Sequence, residues 1–518
     1  MTIERVRAAL RSDERTVIVD APAGCGKTFE AAHLATDLAA ALPPGREVLL
    51  LAHTNAAVQE FARRTQRTRR AVRVSTIDSF CLQMLEPYAS ALHLPVPLRR
   101  HVGLGANRLR FDELAPKALE LLTRCGALAR ILGLHYSVII LDEHQDARPD
   151  QHAVIRRIAD AGASRVRIFG DPMQAIFDRG PGGSIDWQML VRENGGAFEL
   201  DTPHRWREVP RLGEWIMAAR HALRTDHALP IDNRPESVRI TRIAGMPDPK
   251  FGRGLPQFLS RPLHGFLNRC NTTTAVLTHA NRMACDIHVC VNGRVVVNEG
   301  ADFEAAYAAL DSAKAAIGEP RGLALVLLNM LHDVSTGLNK SRHDALTKLL
   351  GADTIAPTKS RELFPIMSAL HHLYHQPTIA GFCEAVTSVH RNPPNWLSVR
   401  LPETLRMLGR IRPPDDSPLE ALDNLVALRK LHPPRPRVTV STVHKAKGLE
   451  FDHVGLCPFS TTLFPDTEYG RRLTYVAISR ACRTIELLVP AQGMSPLLGA
   501  RMVEGPGTTG RATATTAH

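Results

Sequence analysis

The segment that most constrains this chain lies near its start. The β-branched run TVIVD (residues 16–20) breaks at APAGCGKT (Ala21–Thr28), and a helical pattern, KTFEAAHLA, begins at once. Strand, glycine-rich turn and helix in this order is the setting of a phosphate-binding loop. The loop residues Ala23, Gly24, Cys25 and Gly26 bring backbone N–H groups to a helix N-terminus, where the helix dipole favours an anion. Lys27 is spaced to reach the outer phosphates of a nucleotide, and the Thr28 hydroxyl to ligate Mg2+. Ala21 stands where the strict motif has its first glycine, and a small residue serves there.

A loop of this kind sits at the end of a parallel sheet, and the next 180 residues supply one. TVIVDA (16–21), EVLLLAHT (47–54), VRVSTI (72–77), SVIILDE (137–143) and RVRIFGD (165–171) alternate with helical patterns. They are apolar on both faces, as central strands covered by helices must be. A second set follows: AVLTHA (275–280), VTVSTVH (438–444), HVGLCP (453–458) and TIELLVP (484–490). The expected fold class is α/β: two RecA-like P-loop lobes with parallel sheets and short, mainly helical insertions. The first lobe spans 1–200 with a helical insertion at about 86–135. The second is split into 201–304 and 431–502 around a helical insertion at 305–430. The tail 503–518, small and polar, reads as disordered.

Two further segments complete a hydrolytic pattern. In SVIILDEHQD an apolar strand ends in Asp142 and Glu143. After a phosphate loop, such a pair divides the labour. Asp142 would hold Mg2+, and Glu143 would orient and deprotonate the attacking water. RIFGDPMQAIF (167–177) ends a strand in Gly-Asp and places Gln174 to sense the terminal phosphate.

Composition narrows the partners. Lys and Arg number 64 against 52 Asp and Glu, a net charge of +12 that suits a polyanion. The nine cysteines, at 25, 81, 125, 270, 285, 290, 383, 457 and 482, form no CxxC pair and complete no zinc or iron–sulfur set. They read as free thiols in a reducing compartment. With no signal-peptide core at the N-terminus and no apolar run near the roughly 20 residues of a membrane helix, the expectation is a cytoplasmic protein with no membrane partner.

The order of motifs resembles that of the UvrD/Rep-type superfamily 1 helicases. LAHTNAAVQEF (51–61), STIDSFCLQML (75–85), DEHQD, GDPMQAIF, LDTPHRW (200–206), TVHKAKGLEFDHV (442–454) and RRLTYVAISRA (471–481) follow the phosphate loop in family order. The resemblance implies ATP held between two lobes, with Mg2+ on Thr28 and Asp142. Arg205 and Arg480 would act as arginine fingers, His204 would stack on the base, and Gly448 and Glu450 would lie near the ribose. It implies single-stranded or tailed duplex DNA held by Thr54, Asn55, Ser79, Phe80, Phe177, Arg179, Thr442 and His444, Phe177 being the stacking candidate. It also implies 3′-to-5′ travel, in DNA repair or anti-phage defence. Compact chains of this length resemble, too, the helicase-like subunits of bacterial defence operons such as the Gabija system. That gives an alternative: a DNA-stimulated NTPase that regulates a partner nuclease of the OLD family with little unwinding.

Four positions depart from the family pattern. Val6 stands where a Gln reads adenine, and His204 replaces a tyrosine. Arg179 replaces a tryptophan, and Asp78 a histidine beside the strand track. Relaxed nucleotide preference is the expectation from the first two. The insertions are shorter than the family's accessory subdomains, which favours translocation over extensive unwinding.

Overall fold

The computed structural model describes residues 3–499 except 69–70, 101, 103–108, 178–182, 245–254, 280, 292–293, 298–302, 358–359, 400–401, 412–417, 420, 423–424 and 426–435. Arg179 and the tail 503–518 lie outside the described residues.

Among the described residues, two six-stranded parallel sheets organise the fold. The first contains β1 (Thr16–Asp20), β2 (Glu47–Ala52), β3 (Val72–Thr76), β4 (Tyr136–Leu141), β5 (Arg165–Gly170) and β6 (Phe198–Glu199), in the order β3-β2-β4-β5-β1-β6. The second contains β7 (Val238–Ile243), β8 (Thr274–Thr278), β9 (Val296–Val297), β12 (Val438–Thr442), β13 (Phe451–Leu456) and β14 (Ala481–Pro490), in the order β7-β14-β13-β8-β12-β9. Between them β10 (Ser335–Thr336) and β11 (Ser398–Val399) form a short antiparallel ribbon. The central strands β1, β2 and β4 carry the continuous apolar runs and are buried on both faces, each face packing into its own core. Their C-terminal ends point to one edge, where ligands of open parallel sheets bind.

The strand readings from sequence fall within a few residues of these elements, with two differences. The run VTVSTVH does not stay extended to residue 444. The Thr442 hydroxyl accepts from the Lys445 N–H and caps a short helix, Val443–Ala446. The edge strands β6, β7 and β9 were not among the expected ones. β6 and β9 are two residues long, and β7 has exposed arginines at 239 and 242.

The helices of residues 114–135 are not a separate body. Leu114, Ala118, Leu122 and Ala129 join the core on one face of the first sheet. There Gly133 lies so close to Gly162 that a Cβ on it would come within 2.7 Å of the Gly162 backbone. The helices from Phe303–Ala315 to Pro402–Leu408, in contrast, bury their apolar faces in a core of their own. The core of the second sheet extends to Ala23, Met173 and Ile176 of the first lobe, so the lobes share an apolar seam. Among the described residues, no helix is long and apolar enough to cross a membrane.

Candidate active site at the lobe interface

β1 delivers the chain into the loop at Ala21, whose N–H donates to the carbonyl of Gly170, the last residue of β5, at 2.8 Å. Gly24 and Gly26 have φ of +76° and +80°, the left-handed region that only glycine adopts without strain. Space reinforces the requirement. A Cβ on Gly24 would sit 2.9 Å from the Arg205 Cβ, and one on Gly26 would sit 3.1 Å from the His204 ring. The segment His204–Trp206 therefore lies directly over the loop, and the His204 N–H donates to the Gly24 carbonyl at 2.7 Å. Cys25 is buried beneath it. The Ala23 N–H donates to the Tyr475 hydroxyl, 2.9 Å away on the helix Glu468–Ile478 of the second lobe.

Lys27, 7% exposed, forms an ion pair with Glu143 at 2.9 Å and reaches the Ala21 carbonyl at 3.4 Å. Burial alone would lower its pKa, but Glu143, Asp142 and Asp171 raise it. Asp142, at the end of β4, is held by a hydrogen bond from the Thr28 side chain. Its Oδ1 is buried and has no hydrogen-bond partner. Burial and the charge of Glu143 push this carboxyl up to about 7, against the pull of Lys27. An orphaned carboxylate oxygen beside a hydroxyl, with phosphates to share the coordination, fits a hard divalent cation such as Mg2+. Glu143 adopts φ +53°, a strained conformation for a non-glycine residue. Burial would raise its pKa, but Lys27 and Lys447 hold it well below the usual carboxylate range.

Behind these groups runs a chain of side-chain hydrogen bonds. The Gln145 amide donates to Glu143, and its oxygen accepts from the Asp171 N–H at 3.0 Å. Asp171 accepts from the Gln174 amide at 2.8 Å. The Gln174 oxygen in turn accepts from Arg480, 3.3 Å away and 2% exposed. Burial and the nearby Arg205 push Arg480 down to about 10. Arg480 also donates to the Leu449 carbonyl, and Arg205 to the Ser479 carbonyl and to Glu450. The KGLEF segment, turning at Gly448 with φ +83°, thus touches both arginines.

The structure brings the loop residues, Asp142, Glu143, Gln174, His204, Arg205, Glu450 and Arg480 to one interface. Sequence reasoning passed over three residues there although their motifs had been recognised. Tyr475 meets the phosphate loop, and Asp171 anchors Gln174. Lys447, from the second lobe, bonds to the buried Asp146 and to the Gln174 carbonyl.

The residues expected to touch nucleic acid do not all share one surface. Thr54, an N-cap accepting from the Ala57 N–H, and Asn55 are exposed. Ser79 is half-buried and bonded to Thr76. Thr442 is buried and occupied as a cap. Phe80 is a correction: it is 5% exposed in the first-lobe core, edge-on to Tyr136, and cannot stack on a base. Its position on the stripe Ile77, Phe80, Cys81, Met84, Leu85 gave that away. Asp78 is turned to the helix Pro149–Gly162, where it accepts from Gln151 at 2.7 Å.

Phe177 and His444 do meet, with ring centroids 6.0 Å apart. Two unforeseen residues extend them: His279, 5.8 Å from the His444 ring, and Tyr469, whose hydroxyl bonds His444 at 2.8 Å. Phe177, His279 and Tyr469 line an interlobe cleft of about 1110 Å³, whose Arg471 and Arg472 are paired with Asp226 and Glu468. Lys447 lies 5.1 Å over the Phe177 ring, so one side chain spans the buried site and this cleft.

A loop, an acidic pair, a glutamine and an arginine gathered between two RecA-like lobes define a P-loop NTPase of the two-lobed helicase class. Residues 3–243 match the family described as AAA domain, and residues 413–488 the UvrD-like helicase C-terminal domain. Together with the motif order, these matches support a UvrD/Rep-like superfamily 1 helicase, an NTP-hydrolysing class. Among solved structures it is similar to a Pif1 helicase from Bacteroides in complex with ADP-AlF3 and ssDNA. Identity is 14% over 96% of this chain and 94% of that one, and the TM-score of 0.33 is too low to carry structural detail. No curated protein matches.

Proposed function

We propose that the chain is an ATP-driven motor that moves along single-stranded DNA in the 3′-to-5′ direction, stepping as its lobes close on ATP and part after hydrolysis. The observation that carries this reading is the bond between Arg480 of the second lobe and Gln174 of the first, because it makes the site complete only when the lobes meet.

The loop N–H groups and Lys27 bind the phosphates, and His204 faces the base with Glu450 and Gly448 toward the ribose. Thr28 and Asp142 would hold Mg2+, which when bound neutralises charge on the phosphate oxygens. Lys27 has two competing anions. When phosphate draws it away, Glu143 loses the neighbour that most depresses its basicity, and its pKa rises toward the value burial dictates. The general base is thereby activated by the arrival of its substrate. Gln174 contacts the terminal phosphate, and Arg480 and Arg205 stabilise charge on the transferring group. A strand in the cleft would stack on Phe177 and the imidazole and phenol rings beside it, contacts that tolerate any sequence.

The test is ATP hydrolysis with and without single-stranded DNA, beside strand displacement on 3′- and 5′-tailed duplexes. Hydrolysis should rise with DNA, and displacement, where it occurs, should need the 3′ tail. Hydrolysis indifferent to DNA would overturn the motor reading. Stimulation without displacement would mark a translocase or a regulatory NTPase, and co-purification with a nuclease would favour the latter.

A further inference from the structure

Beneath Gln174 lies an ion group that the roles above do not use. Arg220 is on the helix Pro210–Arg224, whose Leu212, Ile216, Ala219 and Leu223 belong to the second-lobe core. Its guanidinium enters the first lobe, where Nη2 donates to Asp20 at 2.9 Å and to Asp171 at 3.0 Å. Asp20 is the last residue of β1, just before the phosphate loop, and Asp171 follows β5. Arg220, Asp20 and Asp171 are 5%, 7% and 0% exposed.

A buried ion group is weak evidence of stabilisation, since well-packed apolar side chains serve about as well. Its geometry supplies another reason for it. Arg220 shares Oδ1 of Asp171 with the Met173 N–H, and the Gln174 amide occupies Oδ2. Both carboxylate oxygens are committed, so the carboxylate cannot rotate, and the Gln174 carboxamide is fixed with its oxygen toward Arg480. Without Arg220, Asp171 has one anchor fewer, and the amide can turn its N–H₂ to Arg480, donor against donor.

We propose that Arg220 is a positioning residue for hydrolysis: through Asp171 it sets the Gln174 carboxamide toward Arg480, and through Asp20 it ties that setting to the strand entering the phosphate loop. The inference rests on the reading of Gln174 as the residue that meets the terminal phosphate.

Arg220→Lys, Gln174→Ala and the double variant are compared in the full chain by steady-state hydrolysis and by binding of a fluorescent ATP analogue. Arg220→Lys keeps the charge, but its nitrogen ends one bond short of the position from which Nη2 bridges the two carboxylates. It should bind the analogue within about twofold of wild type, keep its KM for ATP, and lose about tenfold in kcat. The double variant should be no slower than Gln174→Ala alone, because both substitutions cut one relay. Should Arg220→Lys not fold, Asp171→Asn reads the same relay and must lower kcat without weakening nucleotide binding. Losses that multiply in the double variant, or a full kcat in Arg220→Lys beside a slow Gln174→Ala, overturn the inference. A Gln174→Ala variant as fast as wild type sinks the reading of Gln174 itself.

Discussion

Replacing Lys447 by methionine keeps the aliphatic stem and removes the charge. In the folded chain this ammonium bonds to Asp146, with side chains 8% and 3% exposed, and to the Gln174 carbonyl at 2.5 Å. Removing one partner of a buried ion pair costs about 3–5 kcal/mol, because the other charge stays out of water. Asp146 belongs to the first lobe and Lys447 to the second, so parting the lobes lets water reach the carboxylate. The cost therefore falls on the closed arrangement and spares the fold of either lobe. Even about 3 kcal/mol moves the closed–open balance on the order of 100-fold, at roughly 1.36 kcal/mol per decade. Dyes placed on the two lobes, followed by single-molecule energy transfer with a non-hydrolysable ATP analogue, read that balance directly. The Lys447→Met protein should populate the longer distance, and its DNA-stimulated kcat should fall by at least about tenfold. An unchanged distance distribution with unchanged hydrolysis would show that Lys447 does not latch the lobes.

Lys27→Ala should abolish hydrolysis without unfolding the chain, and Glu143→Gln should bind ATP but not turn it over; activity retained by the first refutes the phosphate-loop assignment. Val6 is buried in the core of the first lobe, and no glutamine precedes the loop to read adenine. Rates with ATP, GTP and CTP should accordingly lie within about an order of magnitude, since one missing hydrogen bond pair is worth about 1–3 kcal/mol, and strict ATP selectivity would contradict this. Burial and the neighbouring Asp171 push the Asp20 carboxyl up to about 6 from its ordinary 3.8, against the pull of Arg220 and Arg224. The folded state thus holds the proton more tightly, so this contribution is complete below about pH 4 and is lost as pH rises through about 6. The difference in Tm between wild type and Asp20→Asn should shift against wild type from pH 4.5 to 7, by the equivalent of about 3 kcal/mol at most; a pH-independent difference speaks against it.

What the sequence made legible follows from how far each signal reaches along the chain. β1, β2 and β4 were readable because strands buried on both faces are apolar along their interiors. The phosphate loop was readable because its conformation demands glycine at 24 and 26, and Lys27 and Thr28 are adjacent to it. β7 was missed because VRITRI exposes its arginines at a sheet edge, where burial imposes no continuous pattern. Phe80 was misplaced because motif resemblance outweighed its helical periodicity, the local signal that put it in the core.

Arg220 and Lys447 belong to a different class of residue. Their partners lie far off in sequence: Asp20 is 200 residues from Arg220, and Asp146 is 301 from Lys447. Nothing within a turn of helix distinguishes Arg220 from the other cations of a chain with 64 Lys and Arg, and the motif around Lys447 marks its segment without revealing its partner. Yet each crosses from one lobe to the other, and each ends on a group already tied to Gln174: Arg220 on Asp171, Lys447 on the Gln174 carbonyl. The loop and the acidic pair are local because chemistry needs them within one lobe. The contacts that tell the site whether the lobes are closed must be non-local, since only a residue from the other lobe can carry that information. In a two-lobed motor, the residues hardest to find from sequence are therefore the ones through which closure reaches the chemistry.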